Sequence, residues 1–534
     1  MYDSTLLPDL VSHAADLTPT APALTYGKTT LSYGELQSAI TCLVSGLVNL
    51  GLQRGERVGI YLEKRFETVI SSFAPPAAGG VFVPMNPLLK PEQVGYILRD
   101  CNVRVLVTSQ ERLAQLQESL AACHDLRHVI VLDSAESPPQ ITGLNTVRWS
   151  DVLASRPASG HRLIDTDVLG ILYTSGSTGK PKGVVLSHRN MVAGAKSVAS
   201  YLENRADDTL LAALPLSFDA GFSQLTTAFY AGARVVLLNY LLPRDVLKAI
   251  EREKVTGLTA VPPLYIQLAQ LDWPESITDH LRYFANTGGR MPREILDALR
   301  RSLPKAKPFL MYGLTEAFRS TYLPPSEVDK RPDSIGKAIP NAEILVLRED
   351  GTQCGPNEPG ELVHRGALVG MGYWNDIEKT AERYKPLPVH APGRESGLVL
   401  PEIAVFSGDT VRMDDEGFLY FVGRRDEMMK TSGYRVSPTE VEEILYATKM
   451  VGECVAFGVD NDRLGQAIQV IATAPANGEL DVMALLAECR VRMPAYMVPS
   501  GIEVIKGPLP RNPNGKIDRK TLSTMWIEQK QPLS

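Results

Sequence analysis

The chain is 534 residues long, 44% hydrophobic and 22% charged. That length exceeds what one hydrophobic core usually supports, and the balance is ordinary for a soluble globular protein of at least two domains. Its formal charge of -6 is mild and spread along the chain, which argues against nucleic acid or an anionic membrane as a main partner. Six cysteines (Cys42, Cys101, Cys123, Cys354, Cys454, Cys489) stand without metal-ligand spacing, so a zinc site is not expected and a reducing compartment is. The opening MYDSTLLPDLVSHAADL has no basic region followed by an apolar stretch. No run approaches the roughly 20 apolar residues of a membrane span, and the expectation is a cytoplasmic protein.

From residue 57 to about 132, β-rich runs (VGIYL, VFVPM, VRVLV, HVIVL) alternate with amphipathic stretches at 64–73, 91–100 and 111–120. This is the pattern of βαβ units in a largely parallel sheet with helices on both faces. Residues 134–164, rich in Ser, Pro and Asp, read as a surface connection. A second series of strand candidates, ILYT, VVLS, RVVLL, LTAV and YFAN, lies between 169 and 311. The fold class expected is α/β, with two doubly wound sheets in a large N-terminal domain. A small β-rich subdomain begins near 335, and a compact α+β unit follows 425. That unit should hold helices at 438–446 and 482–490 and strands near 454–457 and 469–473. The domain limits are placed at 1–425 and 426–534.

Residues 173–188, YTSGSTGKPKGVVLSH, concentrate phosphate-handling groups. Gly176, Gly179 and Gly183 let the backbone bend with its N–H groups inward. Thr174, Ser175, Ser177 and Thr178 supply hydroxyls, and Lys180 and Lys182 supply ammonium groups, a set that suits a triphosphate. The phosphate loop of common NTPases does not fit, because two residues rather than four separate Gly176 from Gly179 and Pro181 stands where a Mg²⁺-binding hydroxyl belongs. The surroundings read as strand, loop, strand. His188 ends the stretch and reads as structural.

Three further clusters follow in chain order. In MYGLTEAFRS, 311–320, Tyr312 offers an aromatic face for adenine, Thr315 a hydroxyl for the α-phosphate, and Glu316 a carboxylate for Mg²⁺; alone, YGLTE is more often a strand followed by a helix cap. In SGDTVRMDDEGFLYFVGRRDEMMKTSGYRV, 407–436, Asp409 can accept two ribose hydroxyls and Arg424 can add a contact, while DDEG is a hairpin turn. In PRNPNGKIDR, 510–519, a Pro/Asn/Gly turn projects Lys516.

These motifs, in this order and spacing, resemble the adenylate-forming superfamily, which holds acyl-CoA synthetases, amino-acid-activating adenylation domains and luciferases. The resemblance covers the full length. It implies that fold, with a mobile C-terminal domain, and a two-step reaction: a carboxylate attacks the α-phosphate of ATP to give acyl-AMP and pyrophosphate, then a pantetheine thiol takes the acyl group and releases AMP. It implies that YGLTE, with Gly313, belongs to the ATP site, that Gly288 and Gly289 pass beside adenine, and that Asp426 is the hinge. It implies that Lys430 and Gly433 sit in a loop serving the thiol step, and that Lys516 is catalytic. An ammonium with pKa near ~10.4 is too protonated to act as a base, so that role is electrostatic. The cofactors implied are ATP, Mg²⁺ and a thiol acceptor, coenzyme A or phosphopantetheine.

The resemblance also places the acid pocket. PLSFDAGF, 215–222, carries Phe218 and Asp219 as amino-acid-activating members do, with the aspartate pairing to a substrate ammonium. Ser223, Leu264, Thr287 and Met311 line the rest by approximate alignment, a compact and mostly apolar set. A buried Asp219 needs a partner: the substrate ammonium, or Arg319, in which case the amino-acid reading loses its basis. A third possibility is that Asp219 only caps a helix. The runs NPLLKPEQV, YLLPRDVL, GLTEAFRSTYLPP and RPDSIGKAIPNAE look very like ligases found with exosortase-A and exopolysaccharide systems, and more loosely like free-standing prolyl adenylation enzymes. The leading expectation is a small amino acid such as proline loaded onto a carrier protein in trans. The alternative is a small acyl or aryl acid joined to coenzyme A.

Overall fold

The β-rich runs assemble into two large sheets. In the first, seven strands lie in the order Asn145–Arg148, His128–Leu132, Val103–Ser109, Arg57–Tyr61, Val81–Pro84, Val168–Thr174, Lys182–Ser187. All neighbours are parallel except the last pair. This is a computed structural model, and it describes residues 4–530 apart from 134–137, 175–180, 396, 425–426, 432–433, 462–463, 476–477 and 513–514.

The second sheet has nine strands, in the order Lys337–Ala338, Thr321–Leu323, Lys307–Tyr312, Tyr283–Asn286, Gly257–Ala260, Thr209–Ala212, Arg234–Leu237, Pro22–Tyr26, Thr29–Ser32. It is parallel through its middle and antiparallel at both ends. Two details differ from the sequence expectation. ILYT and VVLS, grouped with the second series, extend the first sheet, because Gly170 pairs with Phe82 and has no side chain to displace its ring. A Cβ at Gly170 would lie 2.5 Å from Phe82 Cε1. The N-terminal strands Pro22–Tyr26 and Thr29–Ser32, not picked out by pattern, complete the second sheet through parallel pairing with Arg234–Leu237.

Helices Tyr33–Asn49, Phe66–Ala78, His188–Tyr201 and Asp219–Ala231 contribute to a single core cluster together with strands of both sheets. Phe222 stands 4.9 Å from Phe82 and 5.9 Å from Phe73, centroid to centroid. Residues of Asp219–Ala231 are buried from Ala220 to Phe229, so this helix is held from all sides. His188 is a core residue, as expected: its Nδ1 accepts from Leu7 N at 3.0 Å, and burial pulls its pKa down to about 4.

A five-stranded antiparallel sheet follows, with Ala342–Leu347, Gly360–Gly366, Ile403–Met413 and Tyr384–Pro386 in order and Leu419–Arg424 also paired to Ile403–Met413. It is the β-rich subdomain expected from 335 onward. The C-terminal unit has its own sheet and core, with helices Pro438–Ala447 and Val482–Arg492 and strands Cys454–Asn461 and Gly465–Ala472. The α/β class with a large N-terminal and a small C-terminal domain is therefore as read from sequence. The proposed boundary at 425/426 lies outside the described residues. Among the described residues no helix is long and apolar enough to cross a membrane.

Candidate active site

Thr174 and Lys182 face each other at the open end of the antiparallel pair Val168–Thr174 and Lys182–Ser187. The loop between them holds Ser175, Gly176, Ser177, Thr178, Gly179 and Lys180, which lie outside the described residues. The other edge of Lys182–Ser187 is taken by residues 371–374: Met371 N donates to Val185 O (2.8 Å), Val185 N to Gly372 O (2.9 Å) and Trp374 N to Gly183 O (2.7 Å). This added segment delivers Tyr373, which sequence reasoning missed. Its Oη donates to Glu316 Oε1 at 2.5 Å, and Lys182 Nζ lies 5.6 Å from its ring centroid. Burial and the Glu316 carboxylate push the Tyr373 phenol far above its ordinary pKa, so it remains a donor that fixes the carboxylate.

Glu316 lies in a one-turn 3₁₀ helix, Thr315–Ala317, just beyond the strand Lys307–Tyr312. The next residue, Phe318, adopts a left-handed φ of 57°, uncommon for an aromatic side chain and a mark of local constraint. Its ring is fully buried against Gly194, where a Cβ would come within 2.2 Å of Cδ1. The kink leaves Arg319 2% exposed, in the interior. No group of three or more His, Cys, Asp or Glu side chains suited to a metal occurs among the described residues. A lone carboxylate such as Glu316 does fit Mg²⁺ that arrives with a polyphosphate, since that ion is ordinarily held by one or two carboxylates plus substrate phosphates.

Asp409 and Arg424 are direct cross-strand partners, with Arg424 Nε 3.5 Å from Asp409 Oδ1. Tyr312 Oη donates to Asp409 Oδ2 at 2.5 Å, so Tyr312, expected to offer its ring to adenine, also orients Asp409. Burial raises the Asp409 carboxyl. Its Oδ1 is buried without a hydrogen bond in the protein, an acceptor of the kind a ribose hydroxyl would satisfy. The turn at Gly288 and Gly289 uses a φ of 75° at Gly288 and is closed by Asn286 Nδ2 donating to Gly289 O at 2.8 Å.

Lys516 reaches this turn from the small domain: a Cβ at Gly288 would lie 3.3 Å from Lys516 Cε. Desolvation in the cleft pulls its pKa below the ordinary lysine value, opposed first by Asp219 and then by Asp409 and Glu427, while Arg424 adds repulsion. The ammonium is therefore within electrostatic reach of both Asp219, of the predicted acid pocket, and Asp409, of the predicted ribose site.

The acid pocket begins at the helix Asp219–Ala231, whose start carries no side-chain cap bond, so Asp219 is not serving as a cap. Behind it lies a cavity of about 10 Å³, lined by Ser223, Gln224, Thr227, Thr259, Met311 and Arg319 among others, room for about one water molecule. Arg319 Nη1 lies 3.6 Å from Asp219 Oδ2 and donates to Thr287 Oγ1 at 3.2 Å, while its Nε is buried with no hydrogen bond. Of the two partners the sequence left open for Asp219, the substrate ammonium and Arg319, the protein cation stands beside it. Of the other predicted lining residues, Phe218 packs with Leu214, Ala220 and Val261, and Leu264 belongs to the core under the second sheet rather than to the cavity wall. Asp426 and Gly433 lie outside the described residues, and the backbone of Lys430 runs in the strand Met429–Thr431.

The sequence model of the AMP-binding enzyme family matches residues 11–374, and that of the AMP-binding enzyme C-terminal domain matches residues 440–516. Feruloyl-CoA synthase of Amycolatopsis sp is 30% identical over 511 residues, which is 94% of this chain and 95% of that protein. Delta-poly-L-ornithine synthetase of Acinetobacter baumannii (strain AB307-0294) is 28% identical over 526 residues, 97% of this chain. The chain spans only 36% of that relative's length, and 8% of another large synthase. Among solved structures, O-succinylbenzoate coenzyme A synthetase (MenE) from Bacillus subtilis, in complex with ATP and magnesium ion, aligns with a TM-score of 0.80 at 25% identity, over 96% of this chain and 99% of that one.

Proposed function

We propose a reaction on one premise: the chain belongs to the AMP-binding enzyme family. It is an AMP-forming ligase that activates a carboxylic acid. Within that class we infer that it joins a small organic acid to coenzyme A. The acid's carboxylate oxygen bonds to the α-phosphorus of ATP as the bond to the β-phosphate oxygen breaks, giving acyl-AMP and pyrophosphate. The thiol sulfur then bonds to the acyl carbon, AMP leaves, and the thiol proton passes to solvent.

The observation that carries this reading is the contact between Asp219 and Arg319. With a guanidinium 3.6 Å from the carboxylate, a substrate ammonium at Asp219 would meet like charge, so the amino-acid alternative loses the residue it rested on. The full-length match to a feruloyl-CoA synthase and the resemblance to a coenzyme A synthetase support the same acceptor. Placement beside the exosortase-A-associated ligases rests on the sequence runs quoted above and is part of the proposal.

In this reading the residues 174–180 and Lys182 bind the triphosphate, Asp409 and Arg424 the ribose, and Gly288, Gly289, Tyr312 and Gly313 the adenine side. Thr315 faces the α-phosphate. Glu316, oriented by Tyr373, would hold Mg²⁺, which would supply charge neutralisation to the leaving pyrophosphate. Lys516 balances charge on the α-phosphate and the incoming carboxylate. Asp426 acts as the hinge, and Lys430 and Gly433 serve the thiol step.

Two assays test this. Pyrophosphate exchange into ATP without any thiol, over a panel of carboxylic and amino acids, reads the first step. Thioester formation with coenzyme A against a pantetheinylated carrier protein reads the second. Exchange confined to amino acids, or acyl transfer to the carrier alone, would overturn the coenzyme A ligase reading.

A further inference from the structure

The wall of the acid pocket presents two opposite charges that do not use up each other's hydrogen-bonding capacity. Arg319 is 2% exposed. Its Nη1 lies 3.6 Å from Asp219 Oδ2, beyond hydrogen-bond distance. It donates from Nη1 to the Thr287 hydroxyl at 3.2 Å. Its Nε is buried with no acceptor, and it lines the cavity. A buried guanidinium N–H left unmade is costly, so the Arg319 guanidinium retains capacity to donate to a ligand. Across from it, the Asp219 side chain keeps 13% of its surface accessible, and its charge acts on the Lys516 ammonium.

Three substituents on a small acid can be weighed against this pair. An ammonium would pair with Asp219 and be repelled by Arg319. A second carboxylate would pair with Arg319 and be repelled by Asp219. A hydroxyl suffers neither repulsion: its oxygen can accept from the Arg319 guanidinium while its proton is donated to Asp219, one donor and one acceptor in a single neutral group. Charge counting agrees. Arg319 and Asp219 cancel, leaving the Lys516 ammonium for the one carboxylate that reacts, so a neutral substituent keeps the pocket balanced.

Resting on the ligase reading above, we propose that the acid activated here is a small hydroxy acid, its hydroxyl received between Arg319 and Asp219. The hydroxyl sits close to the reacting carboxyl, because Arg319 is bonded to Thr287, the neighbour of Gly288, which Lys516 approaches. The cavity of about 10 Å³ that Arg319 lines leaves little room for a long tail.

The test is pyrophosphate exchange with the whole chain and matched acids in two sets, substituted at C2 or at C3. Each set contains the hydroxy acid, its unsubstituted parent, the amino acid and the dicarboxylic acid. The expected result is a kcat/KM for one hydroxy acid on the order of 10²-fold above its parent, because a site built to bond a hydroxyl rejects the analogue lacking it. Two variants sharpen it. Arg319→Met, with Asp219 left alone, shifts preference toward the amino acid; Asp219→Asn, with Arg319 left alone, shifts it toward the dicarboxylic acid. Either variant suffices if the other fails to fold. A parent acid exchanged as well as the hydroxy acid, or wild-type preference for the amino or dicarboxylic member, overturns the hydroxyl assignment and leaves the ligase standing. No exchange with any acid, in these sets or in a wider panel, overturns the ligase reading itself.

Discussion

At Lys516 the neighbours set the pH behaviour. Desolvation lowers its pKa despite the opposing pull of Asp219, Asp409 and Glu427, so the ammonium is lost at a lower pH than an ordinary lysine would lose it. Exchange should fall on the alkaline side, below the usual lysine range of about 10.4. Lys516→Ala should lower the exchange rate by about 10²–10³-fold and abolish that alkaline limb, while thioester formation from supplied acyl-AMP continues. A variant that exchanges at the wild-type rate removes the role assigned to the lysine. Asp409 gives the opposite balance of stability and binding. Burial raises its carboxyl, so the stability linked to its protonation is present at acid pH and lost as pH rises through the raised value. Asp409→Asn should therefore melt no lower than wild type at neutral pH, because Asn can still accept from Tyr312. Its KM for ATP should rise about tenfold, the worth of a single hydrogen bond to a charged group.

Among the elements, the helix Asp219–Ala231 ties packing to specificity. It enters so close to the preceding loop that a Cβ at Gly221 would lie 1.7 Å from the Pro215 carbonyl oxygen. Gly221→Ala must push that loop or the helix start, at a cost of about 1–3 kcal/mol for such overpacking. The expected outcome is a lower melting temperature and a KM that rises for the acid more than for ATP; equal effects on both would place the loop outside the acid pocket. What could be read in the sequence follows from how locally each function is encoded. Residues 173–188, YGLTE and the Asp409 and Arg424 hairpin each lie within one short segment, so each could be picked out as a motif, and the family resemblance supplied the roles expected of YGLTE, Asp409 and Arg424. Tyr373 reaches Glu316 only because residues 371–374 add to the edge of Lys182–Ser187, and nothing in the local sequence around Tyr373 announces that pairing. The N-terminal strands were overlooked for a related reason: Thr29–Ser32 has no fully buried residue, so its apolar alternation is weak. Arg319 and Asp219 were both identified, but whether they meet depends on the kink at Phe318, whose left-handed φ belongs to tertiary packing against Gly194 and not to residue type.

At the scale of the whole molecule, the two domains meet through charges beside the turn at Gly288 and Gly289. Arg290, next to Gly289, donates to Asp333 at 2.6 Å and pairs with Glu443 on the small-domain helix Pro438–Ala447, while Lys449 Nζ lies 3.8 Å from Glu294. Burial, with Asp333, Glu440 and Glu442 nearby, pushes Glu443 up to about 7, and Arg290 offsets this only in part. The sign follows from linkage. A carboxyl whose pKa is raised in one arrangement favours that arrangement when protonated, and the advantage is lost as pH rises through the raised value. Swinging the small domain away, as the two-step reaction proposed here requires, returns Glu443 to water and to an ordinary carboxyl pKa. Acidification from pH 8 to pH 6 should therefore favour the arrangement in which Lys516 sits beside Gly288, even though it weakens an ion pair. Glu443→Gln, neutral throughout, should hold that arrangement at pH 8 and flatten its pH dependence. Fluorescence energy transfer between dyes on the two domains of the ligand-free protein measures this directly. Functionally, the variant should keep its exchange rate at pH 8 but form thioester more slowly, because leaving the first arrangement becomes harder. A wild-type interdomain distance unchanged between pH 6 and pH 8 would show that Glu443 does not bias domain position.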